Sequence, residues 1–185
     1  IMTSEQKQFI RECRDRYLGD LKENIMPFWL KYGLDRENGG VYTCLDRDGT
    51  LMDTTKSVWF QGRFGFICAY AYNNVEKNPE WLAASKSCID FSNAHCFDTD
   101  GHMFFTVTGD GKPVQKRRYV FSECFAIIAM AEYALASGDM TYAEKALELF
   151  RRTRKMLATP GFLPPKTTQT GYSHSITMMF FAWSI

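Results

Sequence analysis

The sequence predicts an all-α chain of repeated helical hairpins of the toroid type, with inner helices ringing a cavity and outer helices facing water. Three observations predict it. Helical segments alternate between amphipathic and apolar nearly all round, short β-type stretches with Asp-Gly turns separate them, and the pattern repeats after about 60 residues.

The elements follow in order. Residues 4–32 set Phe9, Cys13, Tyr17, Leu21, Ile25 and Phe28 at steps of three and four with charges between them, which predicts an amphipathic outer helix. Residues 57–75 carry Val58, Trp59, Phe60, Phe64, Phe66, Ile67 and Tyr70 on all sides, which predicts an inner helix buried on several faces. Residues 80–94 are again amphipathic through Trp81, Ala84, Cys88 and Phe91, and residues 119–136 are again mostly apolar. After the stop and start of Ser137-Gly138-Asp139 comes an amphipathic, charged segment over 140–157, and residues 173–185 are apolar once more. Six helices pair into three hairpins.

Between outer and inner helices lie two β-hairpin patterns. One is Gly40 to Leu45 followed by Asp46-Arg47-Asp48-Gly49; the other is Phe104 to Val107 followed by Thr108-Gly109-Asp110-Gly111. Asp48-Gly49 and Asp110-Gly111 stand 62 residues apart, as do the inner-helix starts near Ser57 and Tyr119, so the two copies share one register. The third copy has Pro160-Gly161-Phe162-Leu163-Pro164-Pro165 where a hairpin would fall. Three hairpins close part of a ring and leave a row of inner-helix side chains open. The run Met178-Met179-Phe180-Phe181-Ala182-Trp183 lacks a cap after it, so residues 1–185 are expected to form one domain that continues further.

Composition narrows the class. With 45% hydrophobic and 23% charged residues the chain can bury a domain-sized core. A net charge of +1 without a Lys/Arg block argues against nucleic acid and anionic membranes as partners and favours a small polar molecule. The six cysteines are scattered without a CxxC pair, which is the usage of a reducing compartment, and no segment reads as a signal peptide or membrane span; a cytoplasmic protein is expected. The three histidines and separated cysteines offer no metal-ligand spacing, and no phosphate-binding glycine loop is present.

Several side chains are candidates for a site. An arginine in so apolar a helix must be paired or face a polar cavity, and the planar fork of Arg63 donates several hydrogen bonds in a fixed geometry that suits the oxygens of a small polar ligand. Glu123, in the first turn of the second inner helix, gains from the helix dipole and could hold Arg63 or meet a substrate hydroxyl, while Ser122 could cap the helix. Tyr42, Trp59, Tyr119 and Phe121 fall at the hairpin side, where rings could stack on a pyranose or simply pack. His95 and His102 flank a turn and are expected to face solvent; His174 heads the third inner helix and is a pocket candidate.

Phe28-Trp29, the run Gly39 to Gly49, Lys56-Ser57-Val58-Trp59-Phe60-Gln61-Gly62-Arg63 and Phe121-Ser122-Glu123-Cys124-Phe125 together resemble the N-acylglucosamine 2-epimerase family. The resemblance implies an (α/α)6 barrel whose first half corresponds to the three hairpins here. It implies epimerisation or isomerisation of a ring-opened sugar, an N-acylated hexosamine or hexose, by removal and return of a proton next to the carbonyl. Arg63 falls where the family binds substrate, and the family's two proton-transferring histidines would lie beyond Ile185, so this chain alone is expected to be inactive. No cofactor is implied beyond ATP as a non-chemical effector, and a homodimer is a further expectation. Two rival readings stand beside this one. A helical-toroid glycosidase or lyase would need two carboxylates across the cavity, of which Glu123 is the inner-helix candidate. A half-barrel could also serve as a non-catalytic interaction module.

Overall fold

The computed structural model describes residues 2–117 and 119–163 together with Ser175, Met178 and Met179. The chain opens with a continuous helical run over residues 4–33. It comprises α1 (Ser4–Asp20), a widened π-type stretch at Leu21–Ile25, the short α2 (Met26–Phe28) and a second widened stretch at Trp29–Gly33. Pro27 has no N–H to return to the preceding turn, and beside it the Met26 N–H reaches back five residues to Leu21. Thr3 and Gln6 close a capping box at the start of α1.

Two short antiparallel strands, β1 (Cys44–Leu45) and β2 (Leu51–Asp53), form the first hairpin. β3 (Lys56–Ser57) leads into α3 (Val58–Asn74), followed by α4 (Pro79–His95). The second hairpin, β4 (Thr106–Val107) with β5 (Pro113–Gln115), precedes α5 (Phe121–Ser137) and α6 (Met140–Ala158). β3 also pairs with β4, so one three-stranded sheet ties the first repeat to the second. Asn78 and Asp139 cap α4 and α6 through bonds to Glu80 N–H and Thr141 N–H, and Gly138, at φ 76°, ends α5.

The repeat is visible bond by bond. Asp46 N–H donates to Thr50 O and Gly49 N–H to Asp46 O; 62 residues on, Thr108 N–H donates to Lys112 O and Gly111 N–H to Thr108 O. Both turns need a residue in the left-handed region, and Gly49 and Gly111 supply it.

α3 lies against α4 and α5, and α5 against α6. Val58, Ala69, Ile89, Phe91, Ala129, Met130, Tyr133 and Leu149 contribute to the main core. Met26, Cys68, Ala71, Trp81 and Ala84 form a second cluster beneath the first helical run. At Gly62 the two inner helices meet backbone to backbone, since an added Cβ would sit 2.6 Å from the Phe125 carbonyl carbon. A side chain there would push α5 away from α3.

One expectation needs correcting. Among the described residues nothing covers the apolar stripe of α1, and Phe9 and Tyr17 are 66% and 69% exposed; an amphipathic period shows which face is apolar, not what covers it. α3 is buried on several faces and keeps an open row, as expected of an inner helix in a partial ring: Phe60, Arg63, Ile67 and Tyr70, at steps of three and four, form one open face. The third inner helix expected over 173–185, with His174, lies outside the described residues apart from Ser175, Met178 and Met179.

Candidate functional site

The open face of α3 meets the start of α5 at an aromatic cluster. The Trp59 ring stands 5.1 Å from Phe105, edge-on, 5.4 Å from Phe121 and 6.0 Å from Phe125, and Tyr119 stacks on Phe121 at 5.6 Å. Trp59, Tyr119 and Phe121 thus come together as the sequence suggests. Phe105, from the strand stretch, and Phe125, from within an apolar helix, join them without having been singled out.

Two guanidinium groups flank the cluster. Arg63, exposed on α3, lies 5.3 Å from the Phe125 centroid and 5.6 Å from that of Phe60. Arg117, exposed just before α5, lies 4.6 Å from Phe105. Among the described residues neither makes an ion pair, so both forks of donors stay available. Gly62 brings Phe125 under Arg63, and that close helix contact puts the guanidinium on the cluster.

Glu123 does not hold Arg63 or reach into the open face. It is fully buried, its Oε1 accepts from Met103 N–H at 2.6 Å, and the same oxygen lies 2.5 Å from His102 Nδ1. His102 is correspondingly buried, not solvent-facing, and its Nε2 bonds the Arg117 carbonyl at 2.9 Å. Both ring nitrogens face atoms that only accept, so the geometry calls for the doubly protonated imidazolium. Burial alone would lower the pKa of His102, but the Glu123 bond and charge and the Arg117 carbonyl outweigh it and raise it above its ordinary value.

The repeat explains this pair. Gln61 occupies the equivalent position on α3, where its Oε1 accepts from Val41 N–H at 2.8 Å and its amide donates to the Val41 carbonyl. Glu123 is 62 residues after Gln61, Met103 is 62 after Val41, and His102 is 62 after Gly40. Carrying the register through from Gln61 would have revealed the buried role of Glu123. Without Glu123 as a free acid, the hydrolase or lyase reading loses its inner-helix carboxylate. Ser122 is no cap, since its hydroxyl donates to Phe104 O at 2.9 Å and Val120 precedes the helix without a side-chain bond. His95 is exposed, as expected.

Tyr42 belongs elsewhere. Its ring lies 5.2 Å from Lys56 Nζ, and it shares no ring contact with the Trp59 cluster among the described residues. Lys56 is buried beneath it, donating to Asp35 Oδ2 and Gly39 O at 2.7 Å and to Gly109 O at 2.8 Å. Burial pushes the Asp35 carboxyl up, yet the bonds from Lys56 and from the Asn38 and Glu37 N–H groups prevail and bring it to about 2. This lock joins the loop before the first hairpin to the turn of the second. No sequence pattern distinguishes Lys56 from a surface lysine.

Among the described residues no cluster of three or more His, Cys, Asp or Glu is arranged to hold a metal ion, and no helix is long and apolar enough to cross a membrane.

The sequence matches the family of N-acylglucosamine 2-epimerase (GlcNAc 2-epimerase) over residues 40–174. It is 36% identical over 149 residues to the N-acylglucosamine 2-epimerase of Bos taurus, covering 78% of this chain and 35% of that protein. It is 29% identical over 153 residues to the cellobiose 2-epimerase of Eubacterium cellulosolvens, covering 77% of this chain and 36% of that protein. Among solved structures, the cellobiose 2-epimerase from Spirochaeta thermophila aligns with a TM-score of 0.71 at 28% identity, over 84% of this chain and 38% of that one. The chain spans about a third of the length of the curated relatives it matches.

Proposed function

The chain belongs to the N-acylglucosamine 2-epimerase family, with the helical-hairpin fold of its (α/α)6-barrel epimerases, and from that premise we propose that the intact protein is a sugar 2-epimerase or isomerase. A base takes the proton from the carbon next to the carbonyl of the ring-opened sugar and the electron pair passes to the carbonyl oxygen; an acid then returns a proton to the opposite face of the same carbon, giving the epimer, or to the former carbonyl carbon as the C2 hydroxyl gives up its proton, giving the ketose. The observation that carries the reading is Arg63. Its guanidinium, without an ion pair among the described residues and laid on Phe125 and Phe60 beside the Trp59 cluster, is a positioned donor for the oxygen that gains charge.

The proton-transferring groups belong, in this reading, to the portion of the relatives' length that these residues do not span, so the 185 residues alone bind sugar without turning it over. The substrate is a neutral hexose or N-acylated hexosamine, which the modest net charge suits. The reaction needs no cofactor, a nucleotide entering only as an effector; a cytoplasmic homodimer completes the proposal.

The test is to express the intact coding sequence and incubate it with N-acetylglucosamine, glucose, mannose or cellobiose in deuterium oxide. Deuterium is expected at C2 of an epimeric product, or at C1 of a ketose product. Absence of conversion and exchange with all four sugars would overturn the reading.

A further inference from the structure

We propose that Arg117 is a specificity-determining residue of this site, donating to an oxygen acceptor that a substrate carries beyond the plain hexose ring. The inference rests on the epimerase reading and deepens it. Arg117 lies over Phe105, Phe105 packs edge-on against Trp59, and Arg63 lies over Phe125, a second neighbour of the same tryptophan. A sugar held at Arg63 and lying along these rings would therefore extend toward Arg117.

The backbone of Arg117 is anchored, unlike that of an ordinary loop arginine. Its carbonyl accepts from buried His102, which is fixed in turn by Glu123. The preceding residue, Lys116, ties to Asp98 and Asp100 at 2.6 and 2.7 Å, which fastens the end of the second hairpin to the turn before His102. Anchoring at both residues reduces the ordering cost that a ligand would otherwise meet, and the ring face of Phe105 limits where the guanidinium can go. A guanidinium only donates, so it selects an acceptor: the carbonyl oxygen of an N-acyl group or a hydroxyl of a second sugar ring.

His102 is a positioning residue here. Around it stand Glu123 on α5, Lys116 and the Arg117 carbonyl after β5, Asp100, which accepts from its N–H, the Phe162 ring after α6, and Arg152 of α6 against Gly101. Loss of its second proton at high pH would release the Arg117 carbonyl.

Calorimetric titration of the intact protein with glucose, N-acetylglucosamine and cellobiose, alongside Arg117→Gln and Arg117→Ala, tests the proposal. The substitutions are expected to weaken N-acetylglucosamine or cellobiose about tenfold relative to glucose, the scale of one charged hydrogen bond, and the sugar affected identifies the acceptor. In the wild type that preference should also shrink as pH rises through the raised His102 pKa, and in Arg117→Gln it should not. Equal weakening of all three sugars, no weakening, or the same pH dependence in both proteins would overturn the inference while leaving turnover, and so the epimerase reading, intact. A wild type that neither binds nor converts any of them would sink both.

Discussion

His102 Nδ1 lies 2.5 Å from Glu123 Oε1 at the place where the first repeat sets Gly40 against Gln61. The Cβ that Gly40 lacks would come 2.5 Å from Gln61 Oε1, so the first copy has no room for a side chain where the second seats an imidazole. A neutral amide that donates and accepts has become a carboxylate that can only accept, and the histidine supplies the missing proton.

This exchange makes stability depend on alkaline pH. Because the folded pKa of His102 is raised, its contribution is complete below the unfolded imidazole value of about 6.5 and is lost as pH rises through the higher folded value. Removing the acid breaks a buried pair and orphans the Met103 N–H as well as His102 Nδ1, so Glu123→Ala is expected to cost about 3–5 kcal/mol. Urea unfolding of the wild type should show stability falling on the alkaline side, and Glu123→Gln should lose that component of the slope. An identical slope in both proteins would exclude the ion pair as its source.

Much of the fold was legible because periodicity reports backbone register. The 62-residue spacing matched both Asp-Gly turns, and the alternation of helix types separated the apolar α3 and α5 from the amphipathic α1, α4 and α6. Partners were less legible, since periodicity says that Phe9 and Tyr17 share a face but not whether anything covers it. At the site, an arginine in an apolar helix stood out from composition alone, as did the ring-rich starts of the inner helices. Arg117 did not, because its neighbours Lys116 and Phe105 come from a hairpin whose docking depends on long-range bonds to Asp98 and Trp59.

Lys56 and Asp35 form the second buried pair, with acid sensitivity of the opposite sense. The Asp35 carboxyl is lowered to about 2, so its contribution is present above the ordinary carboxylate value of about 3.9 and disappears as pH falls toward the folded one. Lys56→Met leaves that carboxylate buried and short of its cation and should cost about 3–5 kcal/mol. Asp35→Asn should flatten the acid limb of the stability profile measured by urea unfolding; an unchanged limb would mean that other carboxylates set it.

Gly62→Ala tests the close crossing of α3 and α5. Alanine gains up to about 1 kcal/mol of helix propensity, but its Cβ at 2.6 Å from the Phe125 backbone demands a shift of a whole helix. Overpacking of this kind costs about 1–3 kcal/mol, so a net loss of stability is expected, read as a lower melting temperature. Because the shift separates Phe125 from Arg63, sugar affinity should fall with it. A more stable variant with unaltered affinity would show that the crossing does not position the site.

Arg63 should behave in the reverse manner, with large effects on activity and small ones on stability. It is exposed and, among the described residues, makes no ion pair, so Arg63→Ala is expected to change unfolding free energy by no more than about 0.5 kcal/mol beyond its ring contacts. As a preorganised donor to the oxygen that gains charge, its removal should lower kcat/KM of the intact protein by about 100-fold or more. Lysine should recover only part of this, because a point charge can sit near Phe125 but cannot present the two parallel donors of a guanidinium. Melting curves and steady-state rates on the same preparations separate the two effects. If Arg63→Ala unfolds early and Arg63→Lys restores both stability and rate, the residue is a packing element, and the positioned donor must be sought elsewhere along the open face of α3.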